Sequence, residues 1–218
     1  MQSENELVNA IREEIYRGGL RPGEWLKQQD VVERYAVKPF LARKAFQILS
    51  ERGLVQHEKF RGFRVALPSE KELRQLKEVR CILETGAAPA VMAAATDADV
   101  SRLRQLADEF DALIDSIDPI PPRDKNAEFH DAVNAIAGNP LLEDMIREAR
   151  ERQIPGALDI WISPRRIRQS AQDHHDIVDA IQRRDAEGYA RLIRSHILRD
   201  IREFDESRRA GGEVTAQA

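Results

Sequence analysis

The stretch Pro39-Phe40-Leu41-Ala42-Arg43-Lys44-Ala45-Phe46-Gln47-Ile48-Leu49-Ser50-Glu51-Arg52-Gly53-Leu54-Val55 reads as a helix that runs straight into a strand. Proline at the first helical position costs nothing, because that N–H has no intrahelical partner. Phe40, Ala45, Phe46 and Leu49 supply the inner face, and Gly53 is placed to end the helix. Downstream, Leu54-Val55-Gln56 and Gly62-Phe63-Arg64-Val65 read as two short strands joined by the charged loop His57-Glu58-Lys59-Phe60-Arg61. Upstream, Leu7, Val8, Ile11 and Ile15 share one face of a helix over Glu4–Arg17, closed by Gly18-Gly19. A short second helix over Gln28–Tyr35 buries Val31, Val32 and Tyr35, and Ala36-Val37-Lys38 is the turn into the third. Three helices followed by a β-ribbon is the layout of a winged helix-turn-helix.

Beyond Leu67-Pro68 the pattern changes. Ser69 with Glu72 forms a capping box, and from there to about Arg209 the chain reads as helix. A first helix from Ser69 to Ala95 turns Leu73, Leu76, Val79, Leu83 and Ala87 inward and kinks at Pro89. A second opens at Thr96 and Asp99, with Leu103, Leu106, Phe110, Leu113 and Ile117 at near-heptad spacing. Asp118-Pro119-Ile120-Pro121-Pro122 reads as a rigid connector, and Asp124 as the cap of a third helix to Ala137. A fourth follows Gly138-Asn139-Pro140, interrupted at Pro155-Gly156 and ended at Ser163-Pro164; two more cover Pro164–Arg184 and Glu187–Glu206. The fold expected is mainly α: a winged helix-turn-helix over residues 1–67, an antiparallel six-helix bundle over 68–208, and a disordered polar tail over 209–218.

With 218 residues, 42% hydrophobic and 33% charged, the chain has enough apolar material for real cores and suits a helix-rich protein. No apolar run reaches the roughly 18 residues needed to span a bilayer, and no secretory signal opens the sequence. Cys81 is the only cysteine, which excludes an internal disulfide and fits core packing in the cytoplasm. The net charge of −4 conceals an asymmetry: residues 1–68 hold twelve Lys/Arg against nine Asp/Glu, a net +3, leaving −7 for the remainder. Between Arg34 and Arg64, eight basic residues face only Glu51 and Glu58, an excess suited to meeting phosphate.

The chemistry-bearing residues of the second region are Asn126, His130, His174 and His196. Asn126 and His130, four apart, project from one helix face. His174 lies beside Ile177, Val178 and Ile181, and His196 beside Ile193, Ile197 and Ile201, each on an apolar stripe. Imidazoles aimed into a core need partners. Three of them with one oxygen make a divalent-metal site, zinc first, with nickel, cobalt or manganese as alternatives. His175 points about 100° away from His174, toward solvent or a second partner.

These residues bear a resemblance. The run Ile11-Arg12-Glu13-Glu14-Ile15-Tyr16-Arg17-Gly18-Gly19-Leu20-Arg21-Pro22-Gly23-Glu24-Trp25-Leu26 resembles the opening of GntR-family transcriptional regulators, as do Arg43, Ala45, Phe46, Leu49, Gly53-Leu54-Val55 and the wing glycine Gly62. The second half looks like the FCD ligand-binding domain of the family's FadR branch, through Arg80, Leu83-Glu84, Asn126, Phe129-His130, His174, Ile177, Ala180-Ile181 and Asp185 leading to His196. Six helices would suit the VanR-like subgroup. The resemblance implies a homodimer on a palindromic operator in double-stranded DNA, with a small carboxylate effector bound through the metal and Arg80. Asn126 stands where the family's usual ligand is aspartate, so the site is about one charge more positive.

In such a reader the second helix of the motif enters the major groove, its first residues meeting base edges. The DNA-binding candidates are therefore Lys38, Phe40, Arg43 and Lys44, with Arg34 on the backbone, Lys59 and Arg61 in the wing, and Gln28 and Gln29 on the preceding helix. The family's usual Ser/Thr-Arg-Thr-Pro string is here Lys38-Pro39-Phe40-Leu41, which removes an arginine able to grip guanine and implies an altered operator. A rival reading is a metal-dependent hydrolase or lyase, since three histidines and an open position can activate water. No general base stands out, and the winged unit would then be superfluous, so the chain reads as a binding switch and not an enzyme.

Overall fold

The computed structural model describes residues 3–118, 120–153 and 164–215, with side chains omitted at 164, 200 and 202–215. The winged unit comprises α1 (Glu4–Tyr16), β1 (Trp25–Leu26), α2 (Gln28–Tyr35), α3 (Pro39–Glu51), β2 (Val55–Glu58) and β3 (Gly62–Val65). Its three strands are antiparallel in the order β1-β3-β2. The two-residue β1 is absent from the sequence reading because so short a strand has no period to detect. Its pairing of Trp25 with Arg64 sets an indole under the wing, with the Arg61 guanidinium 4.7 Å from that ring. Leu7, Ile11, Ile15, Phe46, Leu49, Leu54 and Val65 fill the core of this unit.

Ser69 caps α4 (Glu70–Gly86) through the capping box, and α5 (Ala88–Ala94) continues it past a break at Ala87, with Pro89 in the first turn. Then follow α6 (Asp97–Asp111), α7 (Ile120–Ala135), α8 (Pro140–Glu151), α9 (Pro164–Gln182) and α10 (Ala186–Thr215). Counting the kinked α4–α5 pair as one helix gives the six expected among the described residues. The core gathers Leu103, Leu106, Phe129, Val133, Ile177, Ile181, Tyr189 and Ile193.

Four expectations need correction. The buried face of α4 is Leu73, Lys77, Arg80, Cys81 and Glu84, whereas Val79 is 46% exposed. Leu73 and Ala87 are buried as expected, but Leu76 and Leu83 are only half-buried, Val79 faces outward, and Lys77, Arg80 and Glu84 face inward in their place. The inward set reaches the polar centre of the bundle, a demand that sequence periodicity cannot register. Second, α6 stops at Asp111, so Leu113 and Ile117 lie beyond it and Ile117 is fully exposed. Third, α7 begins at Ile120 with Pro121 and Pro122 in its first turn, and Asp118 Oδ1 accepts from Ile120 N at 3.0 Å. Proline is well tolerated there, so a segment read as connector is helix. Fourth, α10 runs on to Thr215, through the Arg and Glu residues assigned to a tail. Arg209, Ala210 and Glu213 favour helix, whereas Gly211 and Gly212 do not, so local propensity alone does not account for this last stretch. The interruption read at Pro155-Gly156 lies outside the described residues.

The two units share an interface. Ile120 inserts into the winged core, Tyr16 donates to the Glu151 carbonyl at 3.2 Å, and Arg17 pairs with Asp118 at 3.2 Å.

Candidate metal centre and DNA-reading face

Three helices of the bundle aim imidazoles at one point: α7 brings His130, α9 His174 and α10 His196, all buried. Ligand atoms of the three lie within 4.8 Å of one another. His130 Nε2 is 3.1 Å from His196 Nε2, and His174 Nε2 is 3.1 Å from Asn126 Oδ1. Metal–nitrogen bonds of about 2.0–2.1 Å set neighbouring ligand atoms on one ion about 2.9–3.4 Å apart, so both spacings fit a shared ion. Phe129 stacks on the His174 ring at 4.1 Å and Phe110 meets its edge at 4.7 Å, which locks the imidazole's orientation.

Two further residues orient the set. Asp173 Oδ2 lies 2.9 Å from His196 Nδ1, so that nitrogen carries the proton and Nε2 keeps its lone pair toward the site. Arg199 grips the same carboxylate from both guanidinium ends, at 2.7 and 2.8 Å. Burial works to raise the Asp173 pKa, but bonds from His196 and Arg199 outweigh it and carry it down to about 2. Desolvation holds His130 and His174 well below the usual imidazole value, and it lowers His196 despite the opposing pull of Asp173. The rings are thus neutral at pH 7, the form that ligates metal. His130 Nδ1, His174 Nδ1 and Glu84 Oε2 are buried without hydrogen-bond partners. The two Nδ1 atoms lie on the opposite ring edges from the facing Nε2 atoms, so the fit to a divalent ion rests on the Nε2 lone pairs of three neutral imidazoles and the Asn126 oxygen.

Arg80 is held by Glu84 and, through Nη1 at 3.4 Å, by Gln153. Its Nε donates to Glu84 Oε1 at 2.9 Å, the ion pair one helical turn apart, and it also lines a cavity of about 260 Å³. Asn126 and His196 line the same cavity, so the sequence-predicted effector residue and metal residues open onto one space. His175 turns away to Asp111 at 2.9 Å. Asp173 and Arg199 escaped the sequence reading. Asp173 reaches His196 because α9 packs against both α6 and α10, a pairing between helices that carries no signal in either helix alone.

On the winged unit, Ala36 turns the chain in the left-handed region (φ 50°), and Gln28 Nε2 donates to the Pro39 carbonyl at 3.0 Å, tying α2 to the start of α3. Lys38, Phe40, Arg43 and Lys44 are all exposed; Phe40, expected on the inner face, is 76% exposed, and Ala42 takes its place in the core. Lys38 and Arg43 hold no salt bridge among the described residues, whereas Lys44 pairs with Glu4 and Arg34 with Glu14 at 2.8 Å. Such surface pairs are worth about 0–1 kcal/mol and give way readily to phosphate. Gln29 is bonded to Glu33 at 2.9 Å. Lys59 and Arg61 sit in the wing, exposed.

Residues 75–199 match the FCD domain, and residues 4–65 match the bacterial regulatory proteins of the gntR family. The chain belongs to the FCD-bearing GntR regulators. It is 28% identical over 203 residues to the transcriptional repressor GlaR of Escherichia coli K12, covering 88% of this chain and 90% of that protein. The repressor RspR of the same organism is 26% identical over 197 residues, covering 88% and 84%. Among solved structures, E. coli McbR superposes with a TM-score of 0.80 at 20% identity, over 95% of this chain and 99% of that one. This FCD-bearing GntR protein is a DNA-binding transcriptional regulator and not an enzyme. Among the described residues no helix is long and apolar enough to cross a membrane.

Proposed function

We propose that this regulator senses a small carboxylate through a divalent metal held by Asn126, His130, His174 and His196, and binds a palindromic operator as a homodimer. The observation that carries the reading is the meeting of three buried neutral imidazoles, of which His196, with Asn126, opens onto a cationic cavity. A bound ion supplies an open position for an anionic oxygen. Arg80, with Nε on Glu84 and Nη1 donating weakly to Gln153 at the cavity wall, offers its terminal nitrogens to a carboxylate. The dimer is supported by the outward apolar face of α4, where Val79 and Ile82 are 46% and 63% exposed. On DNA, Lys38 and Arg43 stand unengaged at the start of α3 and support backbone contacts with less reading of bases.

Elemental analysis of the purified protein tests the centre. Wild type should retain about one equivalent of zinc, nickel, cobalt or manganese, and His174→Ala and His196→Ala should each lose it. Undiminished metal in those variants would refute the assignment.

A further inference from the structure

The cavity beside the histidines is walled on its far side by the DNA-binding unit itself. Arg12 and Tyr16 of α1 line it together with Arg80 and Lys77 of α4 and Arg123 of α7. Cations outnumber carboxylates along this lining by seven to three. Of the three acids, Asp131 is already committed to Arg150, and Asp124 is exposed.

Arg12 and Arg123 make no ion pair among the described residues, and Arg12 Nε is buried without a hydrogen-bond partner. The Arg123 guanidinium lies on the Tyr16 ring, 3.2 Å from its centroid, and Tyr16 is in turn anchored to the Glu151 carbonyl. Burial above all destabilises the Arg123 charge, with Arg12 adding to it and Tyr16 and Asp124 opposing. Two guanidiniums from different domains thus border one cavity without an ion-pair partner of their own among the described residues, although Asp124 and Glu151 also line it. Like charges in that setting repel strongly, and an anion placed there relieves both.

We infer that Arg12 and Arg123 form a second anion subsite, so that the effector is a short polyanion, a dicarboxylate or a phosphorylated carboxylate. Its two ends would join the sensor to α1 of the winged unit. This rests on the proposed metal and Arg80 site, which takes the first carboxylate. A cavity of about 260 Å³ is close to the lower end of small-molecule sites, roughly 300–1,000 Å³, which suits a compact ligand. The ligand would then act on DNA binding directly, by holding the reader in one orientation, and not only by tightening the bundle.

Calorimetric titration of the metal-loaded full-length protein tests this, with butyrate as monoanion against succinate, glutarate, citrate and phosphoglycerate. At least one polyanion should bind about tenfold or more tightly than butyrate. Arg12→Gln should erase that margin while leaving butyrate affinity and metal content unchanged, and Arg12→Lys should keep most of it. The preferred polyanion should also slow amide exchange in α1 of wild type and not of Arg12→Gln. Phosphoglycerate ahead of the dicarboxylates assigns the second group as phosphate, and the reverse order assigns it as carboxylate. No polyanion margin in wild type, or a margin untouched by Arg12→Gln, overturns the subsite. Butyrate binding indifferent to His174→Ala would instead strike the metal reading while leaving an Arg12-dependent margin intact.

Discussion

The Asp173 carboxylate touches no effector and is no member of the ligand set, yet it decides how His196 presents itself. By accepting from His196 Nδ1 while gripped by Arg199, it fixes one tautomer and one ring orientation. Asp173→Ala should therefore lower metal affinity by about 10–100-fold in a competition assay with a chelator, while circular dichroism stays native. Full affinity in that variant would show that packing alone orients the ring. Asn126 makes the complementary prediction. Its amide oxygen is a neutral donor, so Asn126→Asp should bind metal more tightly and hold an anionic effector less firmly, because one positive charge is cancelled. A variant with weaker metal binding would contradict this. Both predictions concern single side chains, but only the first needed coordinates. The 126/130 spacing on one helix face is legible from sequence, whereas the pairing of Asp173 with a residue of another helix is not.

Among the elements, the turn between α2 and α3 carries a local cost. Ala36 sits at φ 50° and ψ 41°, where a Cβ is disfavoured, while its N–H caps α2 through the Val32 carbonyl. Ala36→Gly should stabilise the winged unit by about 0.5–1 kcal/mol, read as a higher denaturant midpoint at unchanged slope. An unchanged or lower midpoint would mean that the entropy of glycine in the unfolded chain cancels the relief. Helix boundaries marked by local chemistry, such as the capping boxes at Ser69 and Thr96, follow from a few neighbouring residues and were legible. The outward apolar face of α4 was not. Periodicity shows that a helix has two faces, but it cannot say which one a cavity of opposite polarity will claim.

For the whole molecule, burying three imidazoles in neutral form links stability to pH. Their folded values lie below the ordinary 6.5, by desolvation in each case, so near pH 6 the unfolded chain takes up protons that the folded chain refuses. The stability they support is fully present above about pH 6.5 and declines as pH falls below it, by up to about 1.4 kcal/mol per unit for each ring. The metal-free protein should melt at a lower temperature at pH 5.5 than at 7.5, and a rise on acidification would contradict neutral burial. By itself the sequence determined the two-part architecture, the helix-turn-helix with its wing, and the three histidines, because each is written in neighbouring residues or in a repeating period. Only the tertiary structure decided that Asp173 and Arg199 serve His196, that α4 turns its charges inward, and that Arg12 of the DNA-binding unit borders the sensor cavity. Those arrangements join segments tens of residues apart, and what selects them is the cost of leaving a buried charge or polar atom unanswered, a quantity that exists only once the helices have packed.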